Sequence, residues 1–149
     1  MVYQWKTNFF LSDPQQAGEL CEELSKTIGL TPKNLVDASR DKNAPLHKDF
    51  EWDNNKAAEA YREGQARILI ANLITVDVVD DQSEPVRAFY NIEYSNVNSG
   101  TYESAISIMS SDEKRAILLR NAKDELTRFK KKYSTLKELA NVFKAIDAL

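Results

Sequence analysis

Residues 73–109, LITVDVVDDQSEPVRAFYNIEYSNVNSGTYESAISIM, decide the fold class of this chain. The run opens on branched residues at 73–79, which are stiff at χ1 and suit a pleated strand better than a helix. Asp80-Asp81-Gln82-Ser83-Glu84-Pro85 then reads as a turn. Val86, Ala88, Tyr90, Ile92 and Tyr94 alternate with Arg87, Asn91 and Glu93, the period of a half-buried strand, with Phe89 interrupting the polar face. Residues 96–100 are a loop, and Tyr102, Ser104, Ile106 and Ile108 alternate again, predicting a third strand over 101–109. Connections of about six residues are too short for parallel crossovers, which need a dozen or more, so the three strands are expected as an antiparallel meander.

Helices flank this middle on both sides, which makes the chain α+β and mostly helical. Three are expected before it. Asp13 as cap, Pro14 at the first position and Gln16 three residues on start the first helix. Its inner face would hold Ala17, Leu20, Cys21, Leu24 and Ile28, and Gly29 would end it. Thr31-Pro32 starts a second, short helix with Leu35, Val36 and Ala38 inward. Asp53 is the expected cap of a third, running to about Ala71, with Ala57, Tyr61, Ile68 and Leu69 inward and Arg62, Gln65 and Arg67 facing away.

Past Gly100 there is no glycine and past Pro85 no proline, and Ser110 with Glu113 has capping-box spacing. Leu119, Ala122, Leu126, Phe129, Tyr133, Leu136, Ala140 and Phe143 alternate steps of three and four, a heptad seam. One unbroken helix over 111–148 would be about 57 Å long; it would leave the seam for a second copy and predicts a homodimer through the C-terminal helices. The favoured alternative breaks the helix at Ser134-Thr135, where Thr135 and Glu138 repeat the capping-box spacing, giving two C-terminal helices. The 149 residues, 42% hydrophobic and 29% charged, fit one globular domain spanning 1–149.

Composition also bounds the function. With a single cysteine, Cys21, no intrachain disulfide can form, which fits a reducing compartment. Residues 1–11 do not read as a signal peptide, and the longest apolar run, 68–79, is interrupted by Asn72 and Asp77, short of the ~18 residues a membrane span needs. The expected location is the cytoplasm, with no membrane partner. Four glycines scattered at 18, 29, 64 and 100 exclude a glycine-rich phosphate loop.

Catalysis finds little support. Cys21 lies on an apolar helix face, where a buried, inert thiol is expected. His47 is the only histidine; a metal site with Glu51 or Asp53 is conceivable, but fixing its loop by hydrogen bonding is the simpler role. The acidic pairs Glu22-Glu23, Asp80-Asp81, Asp112-Glu113 and Asp124-Glu125 are adjacent in sequence and so diverge on a helix; they are solvated faces or first-turn charges. No catalytic residue, metal site or cofactor is therefore assigned.

Two surfaces remain. The first hundred residues hold ten basic against sixteen acidic side chains, and the last forty-nine hold ten against seven. The excess sits on the long helix, where Lys123, Arg128, Lys130, Lys131 and Lys132 are candidates for contacting the phosphates of a nucleic acid; the competing reading is a helix C-terminus whose lysines complement the dipole and keep the surface soluble. Trp52 and Tyr61 with Arg62 and Arg67 are a second candidate interaction surface, against core packing of the aromatics.

The segment Pro45-Leu46-His47-Lys48-Asp49-Phe50-Glu51-Trp52-Asp53, continued by Lys56-Ala57-Ala58-Glu59, Arg62 and Gln65-Ala66-Arg67, resembles a family of small, functionally uncharacterised proteins encoded by tailed bacteriophages and bacterial prophages. The likeness extends to Tyr3-Gln4-Trp5-Lys6, Leu30-Thr31-Pro32, Val86-Arg87-Ala88-Phe89, Lys132-Tyr133 and Leu136-Lys137-Glu138-Leu139, and so to most of the chain. It implies action in the bacterial cytoplasm during phage or prophage life, and carries over no catalytic residue. The leading expectation is a non-enzymatic interaction or regulatory protein that binds a phage or host macromolecule. The alternative is a nucleic-acid-binding accessory of phage replication or recombination working through the basic helix, with DNA as the candidate partner.

Overall fold

The computed structural model describes residues 1–54, 56–76, 84–92 and 100–149. Residues 77–83 and 93–99, which hold most of the expected turn at 80–85, the loop at 96–100 and Tyr94, lie outside the described residues, as does the side chain of Ala57. The protein is α+β, with helices predominating. It forms two compact units, residues 1–107 and 108–149.

In the first unit, strand β1 (Val2–Trp5) leads into helix α1 (Pro14–Lys26) and helix α2 (Pro32–Ala38). Both helices start as their sequences require. The Asp13 carboxylate accepts from the Gln16 backbone N–H at 3.0 Å, and the Thr31 hydroxyl accepts from the Asn34 N–H at 3.0 Å. Between them Gly29 turns the chain at φ +93°, a left-handed conformation that side chains with a Cβ resist. Ala17, Gly18, Cys21 and Leu24 form the buried stripe of α1; Ile28 lies beyond its end and is exposed.

A 3-10 turn at His47–Asp49 precedes helix α3 (Lys56–Asn72), which passes directly into strand β2 (Leu73–Val76). The helix begins three residues beyond Asp53, whose carboxylate accepts instead from the neighbouring Asn54 N–H at 2.9 Å. Its buried residues are Arg62, Ala66, Leu69 and Ile70, whereas Tyr61 and Ile68, expected inside, are exposed. The stripe is rotated by one residue because an arginine occupies an inward position.

The β region departs from a simple meander. Strand β2 pairs antiparallel with β3 (Val86–Arg87) as expected, but its other edge takes β1 from the N-terminus, with Tyr3 opposite Thr75 and Trp5 opposite Leu73. At Ala88 the chain bends and leaves this sheet. Strand β4 (Phe89–Asn91) then pairs antiparallel with β5 (Tyr102–Ser104) in a separate two-stranded sheet. The bend interrupts the alternation of faces, so the consecutive residues Ala88 and Phe89 are both buried. The third strand stops at Ser104, whose hydroxyl accepts from the Ser107 N–H at 3.2 Å and starts a short helix, α4 (Ala105–Met109), where the alternation predicted strand. The core of this unit gathers Tyr3, Cys21, Leu30, Leu35, Leu46, Leu69, Leu73 and Phe89.

The second unit is built on helix α5 (Asp112–Tyr133), a 3-10 turn at Lys137–Leu139 and helix α6 (Ala140–Asp147). Ser111, one residue after the expected Ser110, caps α5 by accepting from the Lys114 N–H at 3.4 Å. The C-terminal segment is thus broken into two helices, as favoured. The break does not use a Thr135 cap: Leu136 takes an extended conformation (ψ 94°), and neither the 3-10 turn nor α6 has a side-chain cap. Lys130 on α5 and Asp147 on α6 form an ion pair, so the two helices make a hairpin. No side chain of α5 or α6 is fully buried.

Candidate functional site

The motif around Trp52 is a structural knot. The Trp52 ring stacks on His47 with centroids 4.9 Å apart and planes 8° apart, and its indole N–H donates to the His47 carbonyl at 2.7 Å. The His47 Nδ1 lies 2.9 Å from the Ser39 carbonyl, fastening the loop to the end of α2. Asp49 accepts from the backbone N–H groups of Leu11 (2.7 Å) and Ser12 (3.1 Å), tying down the segment that enters α1. His47 therefore has the loop-fixing role expected of it.

Arg62 is the strongest correction to the sequence reading. It does not look outward: its side chain is 3% exposed. The guanidinium donates to the carbonyl oxygens of Glu51 and Asp53 and to the Glu59 carboxylate, and its carbon sits 5.1 Å from the centre of the Trp52 ring. Arg40 reaches the same carboxylate at 2.6 Å and approaches the ring at 5.8 Å. Arg40 and then Arg62 hold Glu59 below the usual carboxylate range. With Arg62 buried and Trp52 half-buried against the core, both are withdrawn from the proposed interaction surface. Arg67 stays exposed, with Glu63 as a distant neighbour at 3.9 Å.

Cys21 is fully buried, and burial alone pushes its thiol from about 9 up to about 12. A thiol so raised stays protonated and unreactive at neutral pH. In the native protein it should resist a disulfide reagent at pH 8 and react at once in denaturant; equal rates in both states would show that α1 does not shield it. The unfolded chain ionises first, so this thiol's contribution is intact below about pH 9 and is lost as pH rises towards 12.

Helix α5 carries the other candidate surface. Along its seam Leu119, Leu126 and Phe129 are exposed, and the Phe129 and Tyr133 rings lie 5.0 Å apart, tilted by 54°. A shallow groove on α5 is lined by Ala122, Leu126, Phe129 and Tyr133, with Glu125, Arg128 and Lys132 on its rim. The five basic candidates do not act alike. Lys130 is engaged by Asp147, and Lys132 lies over the Tyr133 ring at 5.2 Å. Arg128, Lys131 and Lys132 are exposed and form no ion pair among the described residues, while Lys123 is half-exposed.

Among the described residues no cluster of three or more histidine, cysteine or acidic side chains is placed to hold a metal ion. None of their helices is long and apolar enough to cross a membrane. The comparisons add no relative. No family model, curated protein or solved structure matches this chain.

Proposed function

We propose that this is a non-enzymatic binding protein of a bacteriophage or prophage, acting in the bacterial cytoplasm on a phage or host macromolecule through helix α5. One observation carries the reading: large apolar side chains recur at heptad spacing along α5, yet none of its side chains is fully buried. Exposed apolar residues scattered singly need no explanation, but a continuous seam edged by polar groups marks an interaction surface. The resemblance to phage proteins supplies the biological setting. The first unit, fastened through the Trp52 knot, serves as the folded body that carries the helix.

The test uses the full chain as bait in a lysate of phage-infected bacteria, beside the double variant Leu126→Glu/Phe129→Glu. Both side chains are about two-fifths exposed, so the variant should stay folded with a loss of about 1–2 kcal/mol, which a thermal melt of the bait checks. The wild type should repeatedly recover a partner that the variant loses. A partner retained equally by both would remove α5 as the working surface, and repeated captures without any partner would remove the reading itself.

The second reading, DNA binding, is favoured by Arg128, Lys131 and Lys132, which stand exposed in consecutive turns at the C-terminal end of α5. It is weakened by Lys130, whose charge is met by Asp147.

A further inference from the structure

We infer that the groove on α5 receives an acidic amphipathic helix from another protein. The inference rests on the binding reading above and names the chemistry of the partner.

The seam dictates the shape. Ala122, Leu126, Phe129 and Tyr133, at spacings of four, three and four, line one groove, and such a row presents the holes into which the knobs of one facing helix insert. Double-stranded nucleic acid offers no apolar ridge at that spacing.

The edges dictate the charge. Lys123 and Lys130 follow the seam residues Ala122 and Phe129 and flank one side. Glu125 and Lys132 precede Leu126 and Tyr133 and flank the other, with Arg128 beside Lys132 on the rim. Four cations face one acid, and the pairing of Lys130 with Asp147 leaves a net positive rim. A facing helix with glutamate or aspartate at its flanking positions meets opposite charge at Lys123, Arg128 and Lys132, with Glu125 as the single like charge.

A second copy of this chain fits less well. An antiparallel pair in the groove's own register would set Ala122 against the copy's Tyr133 and Leu126 against its Phe129, which centres the contact between residues 127 and 128. Lys123 would then oppose the copy's Lys130 on one flank, while Glu125 would meet its Lys132 on the other. A parallel pair would set the two basic last turns, Lys130 to Lys132, side by side. Like charges at flanking positions are the device by which coiled coils reject partners.

The experiment titrates the full chain into two fluorescent peptides of about 28 residues, four heptads with leucine at the seam and either glutamate or lysine at every flanking position. Like-charged edges keep each peptide from pairing with itself. The acidic peptide should bind, weaken severalfold between about 50 and 200 mM salt, and lose at least about tenfold in affinity with either Leu126→Glu/Phe129→Glu or Arg128→Glu/Lys132→Glu. The basic peptide should not bind. Binding of neither peptide, or of both equally, overturns the inference. So does a chain that sediments as a dimer dissolved by Leu126→Glu, which would assign the seam to a second copy. Salt-sensitive binding of labelled single- or double-stranded DNA that displaces the acidic peptide would assign it to nucleic acid. Should the peptides fail while lysate capture still depends on Leu126 and Phe129, only the partner's chemistry falls and the binding reading stands.

Discussion

Replacing Arg62 with alanine should lower the stability of the first unit by about 3 kcal/mol, seen as a fall in the urea midpoint at unchanged slope. The argument is one of orphaned partners. The guanidinium is the donor for two backbone carbonyls, Glu51 and Asp53, and shares the Glu59 carboxylate with Arg40. Hydrogen bonds from a charged donor contribute about 1.5–3 kcal/mol, more than neutral ones, and alanine leaves the acceptors unmet and a void beside Trp52. Arg62→Met separates the two effects: it refills much of the volume and should still cost about 2 kcal/mol, because the carbonyls remain unpaired. Arg62→Lys keeps the charge but loses the planar fork that reaches several acceptors at once, and should restore less than half. A change below about 0.5 kcal/mol for Arg62→Ala would mean that the knot does not depend on this residue.

Gly18→Ala should be destabilising by about 3 kcal/mol, against the usual sign for glycine inside a helix, where alanine gains about 1 kcal/mol. A Cβ at Gly18 would stand 2.1 Å from Cγ of Tyr3. That ring cannot step aside. It stacks on Phe89 at 6.0 Å and 8°, its hydroxyl donates to Glu22 at 3.1 Å, and its backbone N–H donates to Gln15 at 3.0 Å. Gly64 in α3, with open space where a Cβ would stand, is the internal control and should show the ordinary gain. A thermal melt of both variants settles the matter; stabilisation at both positions would show that the close seat of Tyr3 on α1 is dispensable.

These two residues also mark what could be read from the chain alone. Local signals survived folding: Asp13 and Thr31 cap their helices, Gly29 turns the chain, and the C-terminal segment breaks near Ser134. Such features need only a few neighbouring residues. The phase of α3 failed because the inner stripe contains Arg62, and a polarity rule assigns arginine outward unless its acceptors, eleven and nine residues upstream, are known. Strand β1 was invisible because four residues make too short a pattern, and its partner lies some seventy residues away. The split of the predicted meander at Ala88 depends on which sheet each half joins, which periodicity does not encode. At the candidate site the seam and its basic edges were legible as spacing and charge. That Lys130 is occupied by Asp147 was not, since it depends on how the hairpin closes.

The pairing of β1 with β2 has a consequence for synthesis on the ribosome. Translation adds about 5–20 residues per second, so Val2–Trp5 emerges several seconds before Leu73–Val76 exists to pair with it. An apolar strand waiting that long with an open edge is a target for wrong partners. Here the interim has a shelter. Tyr3 bonds to Gln15 and Glu22 and lies on Gly18, all within the first 22 residues of the chain. The nascent strand can therefore dock on α1 as soon as that helix clears the exit tunnel, and hold its place until the sheet arrives.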